Sequence, residues 1–276
     1  WTVLSLSVIK KTSKIGHCFR RDMFYEKSIN ARKSSVLCER RLFAVNALKK
    51  AAALAAADLV PDNTIVGLGS GSTLAYFIEE LGARVREGKL HIIGVPTSYQ
   101  ARFLAKKCGI PLYDPIDIDS VDVAVDGADE VDPVGNLIKG AGGAHVIEKL
   151  VAACAKQFVI IIDESKQVKT LGARTSVPLE VIAPALSFVM ERVREMGGKP
   201  TLRIGNGKLG PVISDLGHPI VDVAFGPIAN AAYLDQQLNN LPGVLGHGLF
   251  VGMTNHVIIA CPPVEKPEIK TYTIRR

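Results

Sequence analysis

The stretch from Val121 to Ala152 constrains the fold and the chemistry of this chain more than any other. It opens with valines alternating with other residues, which predicts a β-strand, and it breaks at Asp126-Gly127, a dipeptide that favours a tight turn. A short apolar piece, a glycine-rich segment and a helical pattern follow. Four charged residues that are candidates for a site fall within twenty-three positions: Asp126, Asp129, Lys139 and Glu148.

The helix predicted after Gly143 determines how Glu148 is presented. At about 100° per residue, one apolar stripe is expected to pack on the sheet, with Glu148 at its border and Lys149 pointing to solvent. A half-desolvated carboxylate has a raised pKa, which suits a general base. An ordinary first-turn glutamate that interacts with the helix dipole also explains this residue, and explains it better if Glu148 is taken alone. The stripe comprises Ile147, Leu150, Val151 and Cys154.

Composition excludes several classes of protein. The 276 residues, 47% of them hydrophobic, suit one large globular domain or two modest ones. No apolar run reaches the roughly eighteen residues of a membrane span. The five cysteines are scattered without C-x-x-C spacing, and the six histidines lack metal-ligand spacing. We therefore expect a reducing compartment, no disulfide framework and no metal site.

The net charge of +6 is concentrated in one segment. Residues 1–45 carry ten Lys or Arg against three acids, which leaves 23 basic and 24 acidic residues from 46 onward. A basic terminal segment does not make a basic binding face, so nucleic-acid binding is not expected. We expect residues 1–45 to be largely disordered, and their composition resembles an organelle transit peptide. An artificially extended N-terminus, with Met23 as one possible start, explains them equally well.

Apolar runs that each end in a polar loop recur along the first half of the chain. An Ala-rich helix is expected from Ala44, and a second helix from Leu74 to about Leu81. Strands alternating with helices predict a parallel sheet, in which ligands bind at the carboxyl ends of the strands. The predicted strands are Thr64–Gly69, His91–Val95, Val121–Val125 and Phe158–Ile162, and His256–Pro263 is expected to rejoin their sheet.

The turn after the first strand predicts an anion site. Glycines and hydroxyl side chains directly before a helix expose N–H donors that favour phosphate. A dinucleotide fingerprint fits poorly because the third glycine falls at Gly71 rather than at position 72. A tight turn without a ligand is nearly as good an interpretation. The turn comprises Ser70, Gly71, Ser72 and Thr73.

Three lysines are candidates for contacting the same anion. Lys166 follows the strand at Phe158–Ile162, at the edge where the other loops are expected to meet. Lys49 and Lys50 lie on the Ala-rich helix, where we expect them to be solvated, with contact of one of them to a bound anion as the alternative. For Lys166, a solvated surface lysine is the alternative.

The pattern changes near Thr175, where strand and helix signals follow the order βαββαβ. That order is typical of a ferredoxin-like α+β domain. The sequence thus predicts an α/β fold with a Rossmann-like catalytic domain, residues 46–176 plus 250–276, and a smaller ferredoxin-like domain, residues 177–249. The last residues, after Val264, give no pattern.

Taken in order, the motifs resemble the type A ribose-5-phosphate isomerase family over roughly residues 46–262. The resemblance implies interconversion of D-ribose 5-phosphate and D-ribulose 5-phosphate through an enediolate, in the non-oxidative pentose phosphate pathway, without a metal or organic cofactor. It also implies a homodimer or homotetramer. The motifs are LKKAA, GLGSGST, GVPTS, DGADEVDP, LIKGxGGA followed by EK, DESKQV, PLEVI and LPGVLGHGLF.

The resemblance also implies a role for each site residue. Glu148 would transfer the proton between C2 and C1, Lys139 would stabilise the oxyanion, and Asp126 and Asp129 would hold the hydroxyls. The remaining positions would bind substrate or phosphate: Ser70, Gly71, Ser72, Thr73, Gly127, Ala128, Gly140, Ala141, Gly142, Lys166 and, as a further phosphate contact, Lys49.

Two positions depart from the family pattern. Ala141 stands where Gly or Arg is usual, which would narrow the loop, and Ile147 stands where Arg is usual, which removes a cation before Glu148. An inactive homologue, a sugar-phosphate-binding regulator and a coenzyme A transferase-like enzyme are the competing hypotheses. A regulator would need a helix-turn-helix segment, for which residues 1–45 lack the periodicity. A cytoplasmic location is expected, or an organelle if those residues are a transit peptide.

Overall fold

The computed structural model describes residues 44–207 and 209–274. The predicted disorder of the basic segment therefore lies outside the described residues, apart from residues 44 and 45, which begin helix α1 (residues 44–57) as expected. Residues 46–276 cluster as one compact unit. The division of that unit into two domains stays a prediction.

A six-stranded sheet forms the centre of the first half. Its order is β13-β12-β6-β3-β1-β2, and all neighbours are parallel except the antiparallel pair β12–β13. Register places Leu68 beside Val125, and Asp126 beside Ile160, so β1, β3 and β6 end at one edge. The strands are β1 (Thr64–Leu68), β2 (Ile92–Pro96), β3 (Val121–Asp126), β6 (Ala155–Asp163), β12 (His256–Cys261) and β13 (Glu268–Thr273).

Both faces of this sheet are buried, which explains the continuous apolar run of β6. Val159 and Ile161 belong to the core on one face, together with residues of α1, α2 (Ser72–Arg86) and α3 (Tyr99–Lys107). Phe158 and Ile160 belong to the core on the other face, together with Val151 of α4 (His145–Cys154). The prediction of a parallel sheet flanked by helices is confirmed.

A second sheet contains the predicted βαββαβ order. Its strands are antiparallel in the order β10-β7-β9-β8, and its two helices share an apolar core with them. The elements are β7 (Val177–Val181), α5 (Leu186–Glu195), β8 (Lys199–Leu202), β9 (Ile220–Ala224), α6 (Ala231–Asn239) and β10 (Val244–His247).

A small sheet connects the two larger ones. Strand β5 (Leu137–Ile138) pairs with β4 (Glu130–Val131) on one side and with β11 (Leu249–Phe250) on the other. The Lys139 N–H then donates to the Gly248 carbonyl at 2.8 Å. The residue that follows β5 is thereby tied to the chain leaving the second sheet.

Several elements differ from the sequence-based expectation, and strand β6, for example, begins at Ala155 rather than at Phe158. Helix α2 is longer at both ends than Leu74–Leu81, because the turn before it leads directly into helix and Gly82 is buried against Cys108. Strand β13 was missed because its six residues are all exposed and carry no apolar alternation. Main-chain pairing with β12 holds it at the edge.

The burial of α4 also differs from the predicted stripe. Val151 is buried as expected, but Leu150 is 48% exposed, and the buried face includes His145 and Glu148. Glu148 turns inward because the Lys139 ammonium lies 3.2 Å from its carboxyl group at the carboxyl edge of the sheet. Among the described residues, no helix is long and apolar enough to cross a membrane.

Candidate active site

A cavity of about 340 Å³ opens at the edge where β1, β3 and β6 end. It brings together the turn from Ser70 to Thr73 (the anion turn), the loop after β3, the loop from Gly140 to Gly143 before α4 (the glycine loop) and Lys166 after β6. Every predicted site residue except Asp126 lines it. These lining residues are Lys49, Ser70, Gly71, Ser72, Thr73, Gly127, Ala128, Asp129, Lys139, Gly140, Ala141, Gly142, Glu148 and Lys166.

Asp126 lies behind this lining and contacts Lys139. The Lys139 ammonium is 3.0 Å from Asp126 Oδ2 and 3.2 Å from Glu148 Oε2, and it donates to the Gly127 carbonyl at 2.6 Å. All three side chains are at most 6% exposed. One buried ammonium therefore contacts two buried carboxyl groups.

This unequal charge count controls the protonation of the cluster. Burial, followed by the nearby Asp126 charge, raises the pKa of Glu148 to about 8, although the Lys139 ammonium acts in the opposite direction. Burial also raises the pKa of Asp126, but there the lysine and two backbone N–H groups oppose it. Asp126 Oδ1 accepts from Gly127 N at 2.7 Å and from Ser70 N at 3.2 Å. The better-bonded Asp126 therefore holds the negative charge and Glu148 holds the proton.

Lys139 stays charged in this environment. Burial alone lowers the pKa of a lysine, but the two neighbouring carboxyl groups, Asp126 before Glu148, outweigh it and raise the pKa of Lys139. The ammonium also lies 5.6 Å from the centre of the Phe250 ring. A permanent cation thus stands beside the protonated glutamate at the floor of the cavity.

The glycine loop is held against the loop that follows β3. Ala141 N donates to Asp129 Oδ2 at 3.0 Å, and Asp129 N donates to the Ile138 carbonyl at 2.8 Å. Gly140 has φ +103°, and a Cβ there would lie 2.7 Å from Pro178 Cγ. Only glycine fits this position without displacing the second sheet.

The anion turn packs closely on Asp126. A Cβ on Gly69 would lie 2.3 Å from Asp126 Oδ1, so the backbone approaches the carboxylate as only glycine allows. Gly71 precedes α2, and no described side chain caps the N-terminus of that helix. Lys49 Nζ donates to Ser72 Oγ at 2.9 Å. Free helical N–H groups, hydroxyls and an ammonium therefore meet at one end of the cavity.

Several lining residues were missed by the sequence analysis. Gln100 Oε1 accepts from Gly71 N at 2.9 Å, and Ser98 Oγ accepts from Ser70 Oγ at 2.6 Å. The segment 212–215, between β8 and β9, forms another wall, and Asp215 accepts from Tyr99 N at 2.8 Å. The PTS motif offered a signal for Ser98, but nothing in the irregular segment 212–215 indicates that it reaches the cavity.

Lys149 corrects a further expectation. Its ammonium does not point to solvent but donates to the Leu249 carbonyl at 2.8 Å and lies 5.0 Å from the centre of the Phe250 ring. Burial lowers the pKa of Lys149 to about 8, although the Asp235 charge opposes the shift. The helix turns this residue toward β11 because Glu148 faces the cavity.

The two departures from the family pattern lie where they disturb little. Ala141 is exposed, and Asn63 is the one non-glycine residue with positive φ among those described, so Ala141 has an ordinary backbone conformation. Ile147 packs at the margin of the core around Phe158 and lines a separate surface pocket beside Leu150. Neither residue blocks the cavity.

The chain is similar in sequence to known proteins. Residues 93–263 match the family described as Ribose 5-phosphate isomerase A (phosphoriboisomerase A). The chain is 50% identical over 219 residues to Ribose-5-phosphate isomerase A of Synechocystis sp., covering 79% of this chain and 93% of the relative.

Two solved structures are similar over most of the chain. A D-ribose-5-phosphate isomerase in complex with phospho-erythronic acid is 41% identical with a TM-score of 0.80, covering 83% of this chain and 99% of that one. Ribose 5-phosphate isomerase A from Methanocaldococcus jannaschii is 42% identical with a TM-score of 0.76, covering 82% and 98%.

Proposed function

This chain belongs to the ribose 5-phosphate isomerase A family, and from that premise we propose how its cavity interconverts D-ribose 5-phosphate and D-ribulose 5-phosphate. The observation that carries the proposal is the contact between Glu148 and Lys139 at the cavity floor, 3.2 Å apart and buried. A carboxyl group of raised pKa beside a permanent cation suits proton transfer next to a carbonyl.

The phosphate binds at the turn of Ser70 to Thr73. Exposed N–H groups at the start of α2 supply donors, and Lys49 and Lys166 supply positive charge from two other elements that line the same cavity. Gln100 is an additional contact, since its amide already bonds the Gly71 N–H. The binding energy of the phosphate at the anion turn orients the sugar carbons next to Glu148 and Lys139.

Glu148 carries the proton between the two carbons. In its ionised form it removes the proton from C2 of the open-chain aldose, and as the acid it returns that proton to C1 of the enediolate. Lys139 and the backbone N–H groups of the glycine loop stabilise the negative oxygen that forms meanwhile. The electron pair from the C2–H bond moves into the C1–C2 double bond, and the carbonyl reappears at C2.

Asp129 lines the cavity and is the group placed to hold the substrate hydroxyls and exchange protons between O1 and O2. The same role for Asp126 stays a prediction, because its contacts are with Lys139, Ser70 N and Gly127 N. Its principal role in this proposal is to hold Lys139 charged and in place.

A binding protein without catalytic activity is the alternative. It would need the phosphate turn but not a buried glutamate next to a buried lysine. Two buried acidic groups beside one ammonium cost the fold stability, so their presence indicates that they serve a function. This cluster therefore favours the isomerase over the regulator and the inactive homologue.

The direct test is incubation of the full chain with D-ribose 5-phosphate while ketose formation is measured. We expect turnover that is inhibited competitively by phospho-erythronic acid, the compound bound by the solved relative. Binding of phospho-erythronic acid without any ketose would support the inactive homologue. If the chain neither forms ketose nor binds phospho-erythronic acid, the proposed phosphate site is rejected as well.

We further propose that the chain forms a homodimer or a dimer of dimers. Four apolar side chains, each at least 41% exposed, line one surface pocket next to Ile147, and such patches favour association. Light scattering should report a multiple of the 29.6 kDa chain, and Ile116→Glu should shift it toward the monomer. The four are Tyr99, Ile116, Leu150 and Leu216.

The location in the cell also remains a proposal. A cytoplasmic enzyme is expected, with an organelle as the alternative if residues 1–45 act as a transit peptide. Fluorescent fusions with and without those residues would separate the two, since only a transit peptide would redirect the longer fusion.

A further inference from the structure

We propose that Arg203, which lies outside the cavity, is a positioning residue that orients the peptide groups of the glycine loop toward the substrate. This inference rests on the proposed isomerase function. Arg203 follows β8 directly, in the second sheet, yet its guanidinium reaches the loop that carries Lys139. It is therefore a direct link between the second sheet and the cavity.

The guanidinium is held in one orientation by Asp222. Arg203 Nε donates to Asp222 Oδ2 at 2.8 Å, and Nη2 donates to the other carboxylate oxygen. Asp222 belongs to β9, which pairs with β8. A two-point ion pair between Asp222 and the residue that follows the adjacent strand fixes the plane of the guanidinium, as a lysine at this position would not.

The third nitrogen of the guanidinium binds the loop. Arg203 Nη1 donates to the Gly140 carbonyl at 3.0 Å and to the Ala141 carbonyl at 3.1 Å. The Arg203 side chain is 16% exposed, and its bond to the Gly140 carbonyl is partly buried, whereas its bond to the Ala141 carbonyl is exposed. Two consecutive carbonyls of the loop are thereby turned toward the second sheet.

Because each peptide group is planar, the direction of its carbonyl also fixes the direction of its N–H group. In a trans peptide the C=O of one residue and the N–H of the next point in opposite directions. The Gly140 carbonyl faces Arg203, and the N–H of the same peptide, that of Ala141, accordingly donates to Asp129 Oδ2. Arg203 and Asp129 thus hydrogen-bond to opposite sides of the peptide between Gly140 and Ala141.

The next peptide follows the same rule. The Ala141 carbonyl faces Arg203, so the Gly142 N–H points the other way, and Gly142 lines the cavity. No acceptor within residues 44–207 and 209–274 takes this N–H. It is a preorganised donor for an oxygen of the reacting sugar, and Arg203 determines its direction.

The experiment compares Arg203→Met and Arg203→Lys with Arg194→Met. Arg194 lies on helix α5, which shares a core with the same sheet. Its guanidinium pairs with the exposed Glu191 at 2.9 Å, so Arg194 is a matched control. For Arg203→Met we expect kcat to fall by about ten- to a hundredfold while KM changes little, because the donor is misplaced rather than the phosphate site. Arg203→Lys should retain more activity than Arg203→Met. Arg194→Met should behave as wild type.

Three further readouts separate positioning from simple loss of stability. Amide exchange at 141–143 should accelerate in Arg203→Met, the pH midpoint of kcat/KM should not move, and Asp129→Asn should show a non-additive effect with Arg203→Met. Unchanged kcat, or unchanged amide exchange, would overturn the proposal. If the wild-type chain fails to isomerise ribose 5-phosphate, the proposed function fails, whereas amide exchange still tests the role of Arg203 in the loop.

Discussion

The ammonium of Lys139 lies 3.2 Å from the carboxyl group of Glu148, and both side chains are almost fully buried. Asp126 contacts the same ammonium from the other side at 3.0 Å. The cluster thus has one more acidic group than basic groups, and it accommodates the difference by protonating Glu148.

Replacement of Glu148 by Gln should abolish proton transfer while preserving the cavity. The amide has the same shape but cannot accept the C2 proton, so kcat should fall by about a hundredfold to ten-thousandfold. Turnover of D-ribose 5-phosphate and calorimetric binding of phospho-erythronic acid are the two measurements. Binding should persist, and near-normal turnover would remove Glu148 from its role.

The pH dependence of kcat/KM should have an ascending limb with a midpoint near 8. Glu148 acts as a base only when ionised, and burial raises its pKa to about 8 in the free protein. Activity should therefore rise about tenfold per pH unit well below the midpoint and level off above it. A midpoint near 4.5, the unshifted value for glutamate, would contradict the buried state of this residue.

The stability of the fold should fall as pH rises from about 4.5 to about 8, because Glu148 binds a proton in the folded state and loses it in the unfolded state over that range. Glu148→Gln removes this dependence. The variant should therefore gain stability relative to wild type with rising pH, by on the order of a few kcal/mol at the plateau. Urea unfolding at several pH values measures the difference, and a constant difference across the range would refute the linkage.

Removal of the Lys139 charge should destabilise the protein strongly. Lys139→Met leaves the buried Asp126 carboxylate and Glu148 without a cation, which costs about 3–5 kcal/mol. Lys156→Met is a suitable control because Lys156 pairs with Asp122 at 2.7 Å but is 66% exposed, and loss of such a pair costs about 1 kcal/mol or less. Equal effects of the two substitutions on the free energy of unfolding would show that the Lys139 cluster is solvated.

Two adjacent lysines provide a test of the phosphate site. Lys49 lines the cavity and donates to Ser72 Oγ, whereas Lys50 is exposed and does not line the cavity. Lys49→Met should raise KM for D-ribose 5-phosphate by about tenfold, as expected for loss of one charge-assisted hydrogen bond, with a small change in kcat. Lys50→Met should leave both constants unchanged, and a matching rise in KM would point to general electrostatic attraction instead.

The sequence was sufficient for the order of the main elements, with the exception of β13, and for the edge of the sheet at which the site lies. Strand alternation, the Asp126-Gly127 break and the SGST turn are local signals. A parallel sheet then places the ends of β1, β3 and β6 side by side, whatever packs around them. These local rules bring the anion turn, Asp129, Lys139 and Glu148 to one cavity.

Tertiary structure alone decided how deeply each group is buried and which partners it contacts. Asp126 lies behind the cavity, Lys149 turns toward Phe250, and Arg203 reaches the glycine loop from the second sheet. Each outcome depends on contacts between residues far apart in the chain, for which short-range periodicity has no signal. The shifted pKa of Glu148 has the same origin, because desolvation and a neighbouring charge are properties of the packed site and not of the helix that carries the residue.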